Sequence, residues 1–340
     1  MRRFAKLTAV AVTGLLLAVT VVGCGSSQPA PSTGGNTAAK KVVLKAGSTP
    51  PESHPYNLGL KKFKEIVEKE TNGSVEVQIF PNSALGGERE MVEGLQIGSV
   101  DVVVTSTGPL GNFVPQMNVV DLPFLFRDNA HAWKVLDGPI GQDLLKKFEA
   151  KGIVGLAVWE NGFRNVTNSK REIKTPEDLK GLKLRTMENK VHMAAFKAMG
   201  ADPTPMAMPE VFTALQNKTI DGQENPIPII AANRMEEVQK YVSLTGHVYS
   251  PAPLLISKTT FDKLTKEQQD AIKKAALEAR DYERQQIQKQ VDEESAKLKT
   301  KGMIFTTVDK KLFQDATASV YKQYENEFGK DLIDKILNTK

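Results

Sequence analysis

The chain has 340 residues, 40% of them hydrophobic and 25% charged, with a formal net charge of +5. These are the proportions of a globular protein with apolar material for about two domains, so neither disulfides nor structural metals are needed to hold it together. Arg2, Arg3 and Lys6 lie in a leader expected to be removed; without those three cations the charge falls from +5 to +2, which gives no argument for a nucleic-acid partner. Cys24 is the sole cysteine. His54, His131, His192 and His247 are scattered, with no metal-ligand spacing, so neither metal nor cofactor is expected.

The N-terminus reads as an address. The three cations precede an uncharged apolar run over residues 7–22. That run is short for a membrane-spanning helix, which needs ~20 residues. It ends in Val21-Val22-Gly23-Cys24, which resembles a bacterial lipobox in which the cysteine becomes lipidated, although leucine is more usual where Val21 stands. Residues 25–37 are rich in Gly, Ser and Pro and hold no large apolar side chain. Such a stretch makes a flexible tether, not a core. Residues 1–23 are therefore expected to be a signal peptide, and 24–40 a lipidated cysteine with its tether.

Strands and helices alternate from there. Residues 42–46, Val-Val-Leu-Lys-Ala, form a short, mainly apolar run rich in β-branched residues, hence a strand. Leu58, Phe63, Ile66 and Val67 recur at helical spacing up to Asn72-Gly73. Val75, Val77 and Ile79 alternate as a strand, 87–97 is a helix, and 101–105 is a buried-type strand. Further on, strands are expected at 153–159, 162–167, 182–186, 241–245 and 253–257. Helices are expected from Thr175-Pro176, over 191–199 and over 209–216. This alternation implies an α/β protein with mostly parallel sheets. Residues 266–301 contain neither proline nor glycine and read as one helix of ~50 Å, without a coiled-coil heptad. A helix that long must cross two lobes or project from them. A strand at 303–306 and short C-terminal helices complete the chain. Two lobes leave a cleft between them, a favoured place for a ligand.

Catalytic motifs are missing. No Gly-rich phosphate loop, G-x-S-x-G elbow or H-E-x-x-H occurs, and no nucleophile–base–orienter set can be assembled.

Residues 181–226 contain "GLKLR", "GADPTPM", "EVFTALQ" and "DGQENP" in order. This segment closely resembles the DctP-type solute-binding proteins of tripartite ATP-independent periplasmic (TRAP) transporters. Asn82–Gly86, the "MVEGLQIGSVDVVVTS" stretch, Val120–Phe126 and Phe163–Asn168 extend the resemblance across most of 42–340. It implies a two-lobed periplasmic-binding-protein-like fold, with a long helix across both lobes. The boundaries expected are 41–161 with about 250–288 for lobe I, and 162–249 with about 289–340 for lobe II. It also implies a non-enzyme that captures a small organic acid, a C4-dicarboxylate or a sugar acid, for TRAP membrane subunits.

The resemblance assigns Arg185, in "GLKLR", to the ligand carboxylate. An arginine suits that role because its planar fork donates two parallel charge-assisted bonds. Arg164, in "GFRNVTNS", matches a second arginine near the same carboxylate; the plainer reading is an ion pair with an acid such as Glu160. Asn225, in "DGQENP", matches a ligand-bonding asparagine, or else simply turns the chain before Pro226. His54 sits in the first strand–helix loop, where the family often places a ligand contact. Trp159, Glu160 and Asn161 precede Arg164 and are candidates to touch the ligand body, although Trp159 is equally a core residue. Ser106 and Thr107 follow a strand at its carboxyl end, where α/β proteins gather ligands. Met208 and Phe212 are candidates for an apolar wall. The expected event is capture and hinge closure without chemistry. Two alternatives remain open, a secreted enzyme acting on a carboxylated sugar and a receptor feeding a membrane sensor kinase.

Overall fold

The computed structural model describes residues 41–340. The signal peptide, Cys24 and the tether lie outside the described residues. Strand β1 (Val42–Gly47) leads to α1 (Pro55–Glu70), β2 (Val75–Phe80), α2 (Glu88–Ile97) and β3 (Val102–Val104). After turns of 3-10 helix come α3 (Asn129–Asp137), α4 (Pro139–Lys146) and the long β4 (Ile153–Asn168). Then follow β5 (Lys183–Thr186), α5 (Lys190–Ala198), β6 (Asp202–Pro205), α6 (Met208–Gln216), β7 (Gly222–Asn225), α7 (Ile227–Ala232) and the long β8 (Tyr241–Ser257). The chain ends with α8 (Lys258–Phe261), α9 (Lys266–Thr300), β9 (Ile304–Thr307), α10 (Lys310–Ala316), α11 (Ala318–Phe328) and α12 (Lys330–Asn338).

The strands form one sheet in the order β2-β1-β3-β8-β4-β7-β5-β6, with β9 on β8. Its two flanks are parallel, as expected: β2-β1-β3 on one side, β7-β5-β6 on the other. Its spine is not. β4 and β8 run antiparallel over their whole length, from Ile153↔Ser257 to Asn168↔Tyr241. The two pairs of short strands expected at 153–159 and 162–167, and at 241–245 and 253–257, are these two long strands. Asn161-Gly162 and Pro251-Ala252-Pro253 look like breaks in sequence. In the fold the first is a bulge: the register shifts between Glu160 and Gly162, and Gly162 takes φ +109°, a conformation suited to glycine.

Each flank has its own core. Leu44, Phe63, Val104, Trp159 and Ala276 pack on the β2-β1-β3 side. Leu184, Phe196 and Phe313, and beside them Val211, Ile230 and Leu298, pack on the other. Helix α9 serves both, burying Ile272, Ala275 and Ala276 against the first core and Leu298 in the second. It starts at a capping box, Thr265 with Gln268, which satisfies backbone N–H groups otherwise left orphaned. Gly59 lets α1 lie close to α9: a Cβ there would stand 2.6 Å from Trp159 Cζ3 and 3.0 Å from Glu283 Cβ. No helix of the described residues is long and apolar enough to cross a membrane.

Candidate functional site

Arg185 is the penultimate residue of β5, before Thr186 at its carboxyl end, and is only 1% exposed. Its Nε donates to Met206 O at 2.8 Å, while its Nη1 is buried without any partner. A buried N–H left unbonded is costly, more so on a cation. Burial pushes the guanidinium down to about 10, so it stays charged at neutral pH.

Around it lies a tight cavity of about 20 Å³, lined by Thr49, Tyr56, Glu88, Ser106, Asn161, Arg185, Met187, Met208, Asn225 and Ile229. That is room for about one water, far below the ~300 Å³ at which ligand sites begin, so an acid of several carbons enters only if the walls part. Thr49, Ser106, Arg185 and Asn225 lie at or just past the carboxyl ends of β1, β3, β5 and β7. Crevices at such strand ends are where open α/β sheets take ligands. Asn161 comes from the bulge in β4, and Tyr56, Glu88, Met208 and Ile229 from the first turns of α1, α2, α6 and α7. Tyr56 Oη and Asn161 Oδ1 are buried and unpartnered, like Arg185 Nη1. A wider hollow between α5 and α11, walled by residues such as Met193, Ala198 and Tyr324, holds no such group.

Arg164 is not in the cavity lining. It is fully buried, and it is held by Glu224, not Glu160. Its Nε donates to Glu224 Oε2 at 2.5 Å; its Nη2 donates to Glu224 Oε1 at 2.8 Å and to Asn225 Oδ1 at 3.0 Å. His247 Nε2 lies 3.0 Å from the same Glu224 Oε2. Burial would raise the Glu224 carboxyl, but Arg164 and His247 hold it well below the usual range. Burial likewise lowers His247, keeping the imidazole neutral. Arg164 thus braces Asn225, which does reach the cavity.

The other expected residues divide. Asn225, Asn161, Ser106 and Met208 line the cavity with Arg185; Trp159, Glu160, Thr107, Phe212 and His54 do not. Trp159 is core, its indole N–H donating to Ala276 O at 3.0 Å. Glu160 accepts from Trp133 Nε1 and Gln288 Nε2, both at 2.8 Å, and burial pushes it up to about 7. Thr107 donates to Asp121 Oδ1 at 2.7 Å. Phe212 is partly buried in the middle of α6. His54 caps α1, its Nδ1 accepting from Tyr56 N at 3.2 Å; burial pushes it down to about 3. Its loop position thus serves to seat Tyr56.

Thr49, Tyr56, Glu88, Met187 and Ile229 were not expected. For Tyr56 and Glu88 a signal existed: each opens a helix that follows a strand and a turn-rich loop, so its side chain falls beside the strand ends.

The family model of "bacterial extracellular solute-binding protein, family 7" matches residues 46–327. A solute-binding protein of Verminephrobacter eiseniae is 47% identical over 301 residues, 88% of this chain and 90% of that one. The 2,3-diketo-L-gulonate-binding periplasmic protein YiaO of Escherichia coli is 40% identical over 290 residues, 85% of this chain and 88% of that one. Among solved structures, a TRAP periplasmic solute-binding protein from Polaromonas sp. JS666 bound to D-erythronate is 51% identical with a TM-score of 0.87, covering 88% of this chain and 99% of that one. With this match, the cavity at the strand ends and the helix that serves both cores, the chain belongs to the DctP family of TRAP transporter periplasmic solute-binding proteins.

Proposed function

We propose that this chain captures a small organic acid outside the cytoplasm by pairing its carboxylate with Arg185, closes two lobes over it, and hands it unchanged to TRAP membrane subunits. The observation that carries the reading is the unpartnered, buried Nη1 of Arg185 at a cavity. A carboxylate oxygen there would satisfy it with a charge-assisted bond. Arg164 has its own counter-ion in Glu224, which leaves Arg185 as the cation of the cavity wall. Relatives that bind 2,3-diketo-L-gulonate and D-erythronate agree with an acid ligand.

Closure is taken to bend the spine of β4 and β8 near Gly162, together with α9. The lobes would be 41–161 with about 250–288, and 162–249 with about 289–340. The ligand touches groups from both flanks only when the cleft is shut, which supplies the drive for closure. Lipidation at Cys24 and the tether behind it would hold this receptor at the membrane surface. Mass spectrometry of the ligand that co-purifies with the protein tests the reading: a carboxylic acid released intact supports it, whereas a ligand without a carboxylate, or one consumed on incubation, defeats it.

A further inference from the structure

Arg185 shares the cavity wall with one carboxylate, Glu88. Glu88 Oε1 accepts from Thr105 Oγ1 at 2.9 Å, Ser106 N at 3.1 Å and Ser106 Oγ at 2.8 Å. These donors pin the group to the end of β3. Its Oε2 receives no hydrogen bond from the described residues, and no cation among them comes within 4.0 Å of Glu88. Arg89 and Glu188, at the neighbouring opening, are 3.8 Å apart and offset each other. Asn161 adds a second acceptor, its buried Oδ1 being free while its Nδ2 donates to Ser250 Oγ at 3.4 Å.

The charges therefore balance before any ligand enters. Arg164 is matched by Glu224, and the formal charge of Arg185 by that of Glu88. A monoanion whose carboxylate sits on Arg185 presents the rest of its body to two acceptors. Hydroxyl groups satisfy them, the one on Glu88 by a charge-assisted bond. A second carboxylate would meet Glu88 acceptor to acceptor with like charge, in a confined site where such repulsion is weakly screened.

We propose that Glu88 sets the specificity of this site: it selects hydroxy-monocarboxylates, acids of the aldonate type, and rejects dicarboxylates. The proposal rests on the capture reading of Arg185 and narrows it to one substrate class.

Calorimetry with matched pairs tests it. Erythronate and meso-tartrate differ only in a terminal CH2OH oxidised to carboxylate, as do galactonate and galactarate. The wild-type protein is expected to bind at least one monoacid, and to prefer it to its diacid by about 100-fold. Glu88→Gln is expected to shrink that preference below tenfold, chiefly by gaining affinity for the diacid. Equal affinity for both members of a bound pair, no binding of either pair, or an unchanged preference in Glu88→Gln overturns the proposal. The wild-type preference decides alone if the Gln variant does not fold. Arg185→Ala separates the two readings: if it keeps full affinity the capture reading fails, whereas loss of binding there with an unchanged preference in Glu88→Gln removes only the role of Glu88.

Discussion

Arg164 and Glu224 bind each other with no exposed surface on either side chain, through contacts of 2.5 Å and 2.8 Å to the two carboxylate oxygens. The pair ties β4 to β7 directly behind Asn225. Removing one partner strands a buried charge, which costs about 3–5 kcal/mol. Glu224→Gln should therefore lower the urea midpoint by that equivalent and loosen Asn225. A loss under 0.5 kcal/mol would mean that the pair does not matter to the fold. The same carboxyl is held below its ordinary 4.5, so the stability it contributes is present above that pH and lost on acidification.

Arg185 matters more to binding than to stability. It carries an orphaned Nη1 in the ligand-free chain, so Arg185→Ala, although it gives up the bond to Met206 O, should cost less stability than Glu224→Gln. Binding of the acid should fall about 100-fold or more, and Arg185→Lys should recover only part, because lysine keeps the charge without the fork. Melting and calorimetry on the same samples check both halves; an Arg185→Ala protein that melts below Glu224→Gln and binds normally contradicts each.

Glu160 makes a pH-dependent contribution of known sign. Burial raises its carboxyl from 4.5 to about 7, so the folded chain holds a proton that the unfolded chain gives up between those values. Its contribution is thus fully present below 4.5 and lost as pH rises through about 7. Glu283, raised by burial and by neighbouring Glu160, acts in the same sense. Glu160→Gln should remain uncharged throughout, and gain on the wild type by up to about 3 kcal/mol at pH 8 relative to pH 5. Parallel stability curves for the two proteins from pH 5 to 8 would rule this out.

Gly59 sits where α1 touches Trp159 and α9. Gly59→Val should cost about 1–3 kcal/mol through overpacking, despite the better helix propensity of valine. Chemical denaturation measures it. A neutral or stabilising result would show that Trp159 can move aside.

Much of the fold was legible because its elements are strongly periodic. The alternation of Val75, Val77 and Ile79, and the Pro- and Gly-free run that became α9, announced themselves. Strand β7 did not: Gly222-Gln223-Glu224-Asn225 is polar and reads as a turn. It is a strand because β4 and β5 flank it, and its polar side chains find Thr167 and Arg164 across the sheet. The spine was cut in two on paper because Gly162 and two prolines punctuate it, whereas pairing with a long partner strand carried the structure through them. In the site, the resemblance pointed to Arg185 and Asn225, and both line the cavity. Glu88 and Tyr56 escaped notice because the one local signal they carry, a place at the start of a helix after a strand and loop, is shared by many residues; what sets them apart is which strand ends their helices begin beside.

The shared spine has a topological consequence. Every strand of one flank is joined to the other through β4 and β8, and α9 passes between the two cores as well. The dependence is unequal along the chain: β1, β2 and β3 are made early, yet β3 pairs with β8 and their core is closed by α9, both made far later. Lobe-swapped chimaeras of two such receptors would have to exchange several segments at once, because β8 and α9 serve a flank whose own strands lie at the other end of the chain.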